Sequence, residues 1–550
     1  MWHRQSDSDR SRRQESGLIA PAPSPAPLTR GQRTALGLIL AAGLALRVLY
    51  LLHALHSPGY VWEDPDGYAR QARRLAGPDG WNWTFQAVTY LINGQRHALP
   101  PLYSVFLSLF ALFPGFPVTA LAAQLLLAVG ANWVVFALGR CLHSTRTGLL
   151  AAAGFAIWVP NIFNVWSTSQ ESLYIPLILT AFLLFARAID RESAALGFGV
   201  AGAVFGLAAL TRSMPMFFVL PAACAHVALT PDRRRATAQG AALLAGFLLV
   251  TMPYSAALSR HRGQLTIIDT HGSIHVSGGS GSTTPGLVDT VRGLFREIVR
   301  APSDFVSVRV MLARSLLHVN GGRILQIYVV ARGKADAIAW KVLVHLGTDV
   351  LLIVSATLAA LGAAVCRERR LAVMFLLWAA INIGIASVGG FGGARLRTPF
   401  EPLLLVLAAV VCAGGWRRPR PIPLALAAAA ALVAAAGVLP QVPRSLRSRP
   451  DYGVAWPSIF SRQSGHFTGA AGMNVPAYEG LATLTATAGG DSSPRIDVRV
   501  GGVHVRSVQL TAGEPGAIRA FWPAGGLAFV ELDVRPPAGK EEIHVSVAGR

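Results

Sequence analysis

Long apolar runs separated by short polar turns fill residues 35–440. A helix needs about 20 mainly apolar residues to cross the roughly 30 Å hydrocarbon core of a bilayer. Runs of about that length lie at 35–55, 118–138, 147–166, 172–189, 194–210, 214–230, 237–258, 346–366, 371–389, 400–415 and 421–440. A twelfth stretch, 101–113, is short: its thirteen residues span only about 20 Å as a helix. Residues 1–34 are polar and rich in Arg, Ser and Pro, and they lack apolar periodicity, so they read as a disordered tail. Near residue 450 the period changes. Segments such as Arg495–Val500 and Phe529–Val534 alternate apolar and polar residues, and turns such as "AGGDSSP" and "RPPAG" separate them. That pattern predicts a small antiparallel β domain of sandwich type.

The pattern therefore predicts a mainly α protein, a polytopic transmembrane helical bundle with a small C-terminal β-sandwich-like domain. The expected divisions are a cytoplasmic tail at 1–34, a transmembrane domain at 35–445 and an extracytoplasmic β domain at 455–550. Basic turns orient the bundle. They occur at Arg140/Arg146, Arg187/Arg191, Arg233–Arg235, Arg367/Arg369/Arg370 and Arg417/Arg418/Arg420. If 101–113 does not cross, all five share a side with the Arg-rich N-terminus, as cytoplasmic turns should. If it crosses, all five fall opposite that tail. Eleven spans are therefore expected, in a multi-pass protein of the plasma (inner) membrane, with a cytoplasmic N-terminus and loops 57–100 and 259–345 outside.

Composition agrees. Hydrophobic residues make up 52% and charged residues 14% of the 550, against about 25% charged in an ordinary soluble protein. The net charge of +21 raises the question of nucleic acid, but the basic residues are scattered in short clusters, so no nucleic-acid partner is expected. Loop 259–345 carries eleven Arg/Lys against five Asp/Glu and would attract an anionic ligand. Cys141, Cys224, Cys366 and Cys412 lack metal-ligand spacing. The Gly-rich stretch 275–286 lacks the Lys of a phosphate-binding loop.

Candidate chemistry starts in loop 57–100, in "VWEDPDGYARQARRLAG", where Glu63, Asp64 and Asp66 stand within four residues. Carboxylates this close repel one another, which tends to raise at least one pKa and suits a general base. Asp64 before Pro65 suits a helix cap equally well. Their oxygen ligands also leave a divalent cation open; no other cofactor is implied. Glu171, in "STSQESLY", and Arg212 fall at expected outer helix ends. Arg395 and Arg397 lie in a short outer connection, the side that the charge rule disfavours. Arginine suits phosphate because its fork presents several donors and never loses its charge.

The residues occur in a telling order: Asp64 followed after three intervening residues by Tyr68, then "RHALPPLYSVFLSLF", "QESLYIPLILTAFLLFARA", "GLAALTRSMPMFFVLP", "MPYSAALSRHRGQLTIIDTHGSIHVSGG" and "ARLRTPFEPLLLVLAA". Over about 35–420 the set resembles the GT-C superfamily of membrane glycosyltransferases, nearest to the protein O-mannosyltransferase and aminoarabinose-transferase-like group. The resemblance implies transfer of a sugar from a polyprenyl-phosphate donor to a lipid, glycan or protein acceptor on the extracytoplasmic face. It implies an essential acid in the first outer loop, followed by a Tyr. Asp64 with Tyr68 fits that pattern; Asp66 ranks second and Glu63 third. The family often has Glu at the position of Glu171. Two positions depart from it. Ala257 stands where an Arg is common, so Arg260, Arg262 or the Arg395/Arg397 pair would serve the phosphate. His97 precedes Pro100-Pro101 by three residues instead of adjoining them. The alternative from another class is a non-enzymatic transporter or flippase of lipid-linked glycans. A glycan polymerase or ligase with a diphosphate-linked donor is a further one.

Overall fold

The computed structural model describes residues 27–55, 68–77, 89–92, 95–116, 118–165, 169–190, 195–262, 346–388 and 397–414, together with paired strands between 464 and 549 and a few isolated positions. The tail up to residue 26 and most of the expected span 421–440 and of loops 57–100 and 259–345 lie outside the described residues. In chain order the helices are α1 (Arg30–Leu55), α2 (Tyr68–Ala76), α3 (Pro101–Ala111), α4 (Val118–Leu142), α5 (Thr145–Ala156), α6 (Val159–Asn164), α7 (Glu171–Asp190), α8 (Ala195–Ala209), α9 (Met216–Leu229), α10 (Arg233–Arg262), α11 (Leu351–Val365), α12 (Arg369–Val388) and α13 (Glu401–Cys412). A π-helical turn, Leu346–Val350, leads into α11. Among the described residues, five helices are long and apolar enough to cross a membrane. The protein is therefore an integral membrane protein. Leucines at 38, 49, 126, 196 and 249 stay exposed on its helices, as expected where lipid replaces water.

Local sequence explains several boundaries. Ser144 caps α5 by accepting from the Thr147 amide at 3.2 Å. Pro101 opens α3, where the missing N–H is not needed. Gly414, at φ 92°, follows the end of α13 in the left-handed conformation that a side chain disfavours. The apolar stretch 147–166, expected as one span, is instead two helices, α5 and α6. Pro160 explains the break: it has no N–H for the Ala156 carbonyl, and its ring would collide with that carbonyl in a continuous helix.

Helices α8 and α10 approach each other very closely. A Cβ on Gly202 would fall 1.9 Å from the Leu243 carbonyl oxygen, and one on Gly246 would fall 1.9 Å from that of Gly199. Only glycine allows backbones this near. The main core joins α4, α5 and every helix from α7 to α13. At its centre Phe182 meets Phe205, Phe218, Phe375 and Trp378, with ring centroids 5.2–6.0 Å apart. The Trp378 indole donates to the Pro399 carbonyl at 3.1 Å, which ties this core to the turn before α13.

Strands β1 (Thr89–Ile92) and β2 (Gln95–Ala98) form a hairpin. The C-terminal strands are β3 (Ser464–Phe467), β4 (Ala471–Pro476), β5 (Gly480–Gly489), β6 (Arg495–Val500), β7 (Val503–Gln509), β8 (Pro515–Trp522), β9 (Leu527–Arg535) and β10 (Glu542–Gly549). They pair antiparallel in two four-stranded sheets, ordered β3-β10-β5-β8 and β4-β9-β6-β7. Register slips between Val498 and Arg499, where β6 meets β7.

Candidate active site

Three elements that are distant in sequence converge near the start of α2. Tyr68, its first residue, is buried, and its hydroxyl donates to Gln170 Oε1 at 2.6 Å. Its ring stands edge-on to Tyr103 at 5.0 Å. Tyr103 in turn donates to Gln124 Oε1 at 2.7 Å, and Gln124 Nε2 donates to the Val165 carbonyl at 3.2 Å. Ser104 donates to Gln71 Oε1 at 3.0 Å. These bonds hold α2 against α3 and α4, and each satisfies a polar group that burial would otherwise penalise.

Gln170 adjoins Glu171, the first residue of α7. Glu171 is fully buried, and Arg212 Nη1 lies 2.9 Å from its Oε1. Its other oxygen accepts from the Ser169 hydroxyl. A carboxylate in the first turn also meets the positive end of the helix. Arg212 follows α8, and its guanidinium lies 5.9 Å from the Tyr174 ring centroid. The Leu102 amide donates to the Leu210 carbonyl at 2.9 Å, which sets the Arg212 turn beside the start of α3. The Arg212 side chain keeps 12% exposure. Only one of its nitrogens is taken by Glu171; the rest of the fork makes no hydrogen bond among the described residues.

A second cluster surrounds Arg397. Arg397 Nη2 lies 3.2 Å from Asp349 Oδ1, and its Nε pairs with Glu401. The Trp158 indole donates to Glu401 Oε2 at 2.7 Å. All four residues are buried. This Arg397 is enclosed and already neutralised by two carboxylates.

Of the sequence candidates, Tyr68, Glu171 and Arg212 come together. Arg397 sits in the second cluster. Arg260 is exposed near the end of α10 and enters neither. Glu63, Asp64, Asp66, Arg395 and the Arg262 side chain lie outside the described residues. Among the described residues no group of three or more His, Cys, Asp or Glu is placed to hold a metal ion. Sequence reasoning missed Gln170, Tyr103, Tyr174 and Asp349. Asp349 had a signal: it is the one acid in the apolar run 346–366, and charges at membrane depth are seldom idle.

Residues 98–259 match a family model described as dolichyl-phosphate-mannose-protein mannosyltransferase. No curated protein sequence matches the chain. Among solved structures, the archaeal oligosaccharyltransferase AglB from Archaeoglobus fulgidus, in complex with an inhibitory peptide and a dolichol-phosphate, is similar at 16% identity and a TM-score of 0.45; the match covers 78% of this chain and 57% of that one. ArnT from Cupriavidus metallidurans, bound to undecaprenyl phosphate, is similar at 15% identity and a TM-score of 0.41, with 72% of this chain and 63% of that one covered. The chain thus spans little more than half the length of the archaeal enzyme, and likeness at this level assigns no residues. The family match holds both Glu171 and Arg212. It agrees with the motif order along the chain, which resembles that of the GT-C superfamily of membrane glycosyltransferases.

Proposed function

We propose that the protein transfers a sugar from a polyprenyl-phosphate donor to a lipid, glycan or protein acceptor on the extracytoplasmic face of the membrane. The observation that carries this reading is the convergence of Tyr68, Gln170, Glu171 and Arg212. It joins the helix that follows the acidic loop to a partly exposed arginine with unused donors.

The chemistry assigns the roles. The acceptor hydroxyl gives its proton to Asp64, and its oxygen bonds to the anomeric carbon. The bond from that carbon to the phosphate oxygen breaks, and the electron pair leaves with the polyprenyl phosphate. Arg212 faces the charge that grows on this leaving group, with Arg395, Arg260 and Arg262 as further cations. Preorganised donors aimed at developing charge carry much of the rate in such reactions. Tyr68 anchors α2, the helix that follows Asp64 in the sequence; Asp66 and Glu63 are the next candidates for the base. Glu171 orients Arg212. Arg397, enclosed by its carboxylates, holds the start of α13. The N-terminal tail (1–34) is cytoplasmic in this reading, the bundle occupies 35–445, and the β unit at 455–550 is extracytoplasmic and offers a surface for acceptor glycan.

Asp64→Asn tests the assignment. The carboxamide keeps the shape and loses the base, so transfer in membranes falls by about 10²–10⁴, while the yield of folded protein is unchanged. Full activity in the folded variant would remove Asp64 from the mechanism.

A further inference from the structure

Arg47 lies within α1 and has no surface exposure. Among the described residues no carboxylate pairs with it, and its Nε and Nη2 have no hydrogen-bond partner. It does not reach outward like a snorkelling arginine. Its Nη1 donates to the Gly43 carbonyl at 2.7 Å, one turn back towards the N-terminus, and to the Ala156 carbonyl at 3.3 Å. Gly43 leaves room for this: a Cβ there would lie 3.2 Å from Arg47 Nη1, Ala156 Cβ and Asn132 Nδ2 alike.

The Ala156 carbonyl is the one that Pro160 leaves without a donor. In a lipid-embedded helix such a carbonyl must find a partner within the protein. A cation at a helix C-terminus also meets the negative end of the peptide dipoles. Arg47 therefore supplies from another helix the donor that proline removed. Two residues after Ala156, Trp158 donates to Glu401, and Glu401 pairs with Arg397. A continuous line of contacts runs from Arg47 through the α5–α6 break to Arg397 and Asp349.

We infer that Arg47 is a positioning residue: by capping the broken end of α5 it holds Trp158 against Glu401, and so fixes Arg397 and the connection before α13. The inference rests on the glycosyl-transfer reading only for its effect on activity. For packing alone an apolar side chain would serve, since a buried, incompletely partnered charge does not favour stability. What the guanidinium adds is reach to a carbonyl on a neighbouring helix.

The test uses the full chain in lipid nanodiscs, with Arg47→Met, Arg47→Lys and Trp158→Phe. Amide hydrogen exchange across 155–164 is read first. Exchange rises there in Arg47→Met, returns towards wild type in Arg47→Lys, and stays unchanged in α7 and α8. With a polyprenyl-phosphate sugar, Arg47→Met and Trp158→Phe lower kcat about ten- to a hundredfold, the scale of a displacement of about 1 Å at the reacting groups, with KM for the donor little changed; Arg47→Lys restores most of it. Trp158→Phe keeps an aromatic ring but loses the indole N–H together with the volume of the pyrrole ring, and it carries the kinetic test if Arg47→Met does not fold. Unchanged exchange, unchanged kcat, or no recovery in Arg47→Lys would overturn the inference. A wild-type chain without transfer activity would count against the proposed function, and the exchange result would still decide the role of Arg47.

Discussion

The Glu171–Arg212 pair offers a quantitative test of the site. Glu171 has no exposure and Arg212 keeps 12%. Charges 2.9 Å apart attract with about 6 kcal/mol at an effective dielectric constant of about 20. Much of that offsets desolvation, so the pair is not expected to add its full attraction to stability. Removing one partner is different, because it strands the other. Arg212→Met removes the guanidinium from a buried carboxylate that still accepts from Ser169, and the cost should be about 3–5 kcal/mol. The lower end applies, since the Arg212 side is partly open to solvent. Glu171→Gln in the same chain removes the stranded charge, so the double variant should recover at least about 1 kcal/mol relative to the sum of the single changes. Unfolding midpoints in matched detergent give all four corners of the cycle. Strict additivity, or a cost below about 1 kcal/mol for Arg212→Met, would show that the pair is not desolvated as described.

Two further outcomes follow from the packing and the charges. Gly202→Ala must push α8 from α10 by more than 1 Å to relieve the 1.9 Å contact, at about 1–3 kcal/mol, whereas Gly130→Ala, with nothing within 4 Å, should be neutral or slightly stabilising; thermal melts of the two variants decide. His143, in the turn between α4 and α5, has its pKa held below the ordinary 6.5, first by burial and then by Arg367. The unfolded chain takes up that proton first, so the contribution of His143 is present above pH 6.5 and is lost as pH falls through the lower folded value. His143→Gln should therefore flatten the fall in melting temperature below pH 6.5, and an unchanged pH profile would contradict this.

Apolar run length made most of the helices legible in the sequence, because a bilayer demands that length. The α5–α6 break was written there too, in Pro160, but hydropathy averages over a proline. Tyr68, Glu171 and Arg212 could be picked from the motif order. Their mutual contacts could not, since Tyr68 and Gln170 are 102 positions apart and Glu171 and Arg212 are 41 apart. Arg397 shows the reverse: its position beside Glu401 was plain, yet its enclosure depends on Asp349, 48 positions earlier. Arg47 and Asp349 carried a readable signal, a single charge inside an apolar run. Tyr103 and Gln124 did not, because neutral polar side chains in such helices declare no partner until the helices pack.

The most direct measurement places the purified chain in liposomes with a polyprenyl-phosphate sugar labelled in the sugar and an acceptor pool from a cell envelope. The account predicts that label passes to the acceptor as free polyprenyl phosphate appears in equal amount. Label that crosses the bilayer still attached to the intact lipid, with no polyprenyl phosphate released, would contradict the account and identify a flippase.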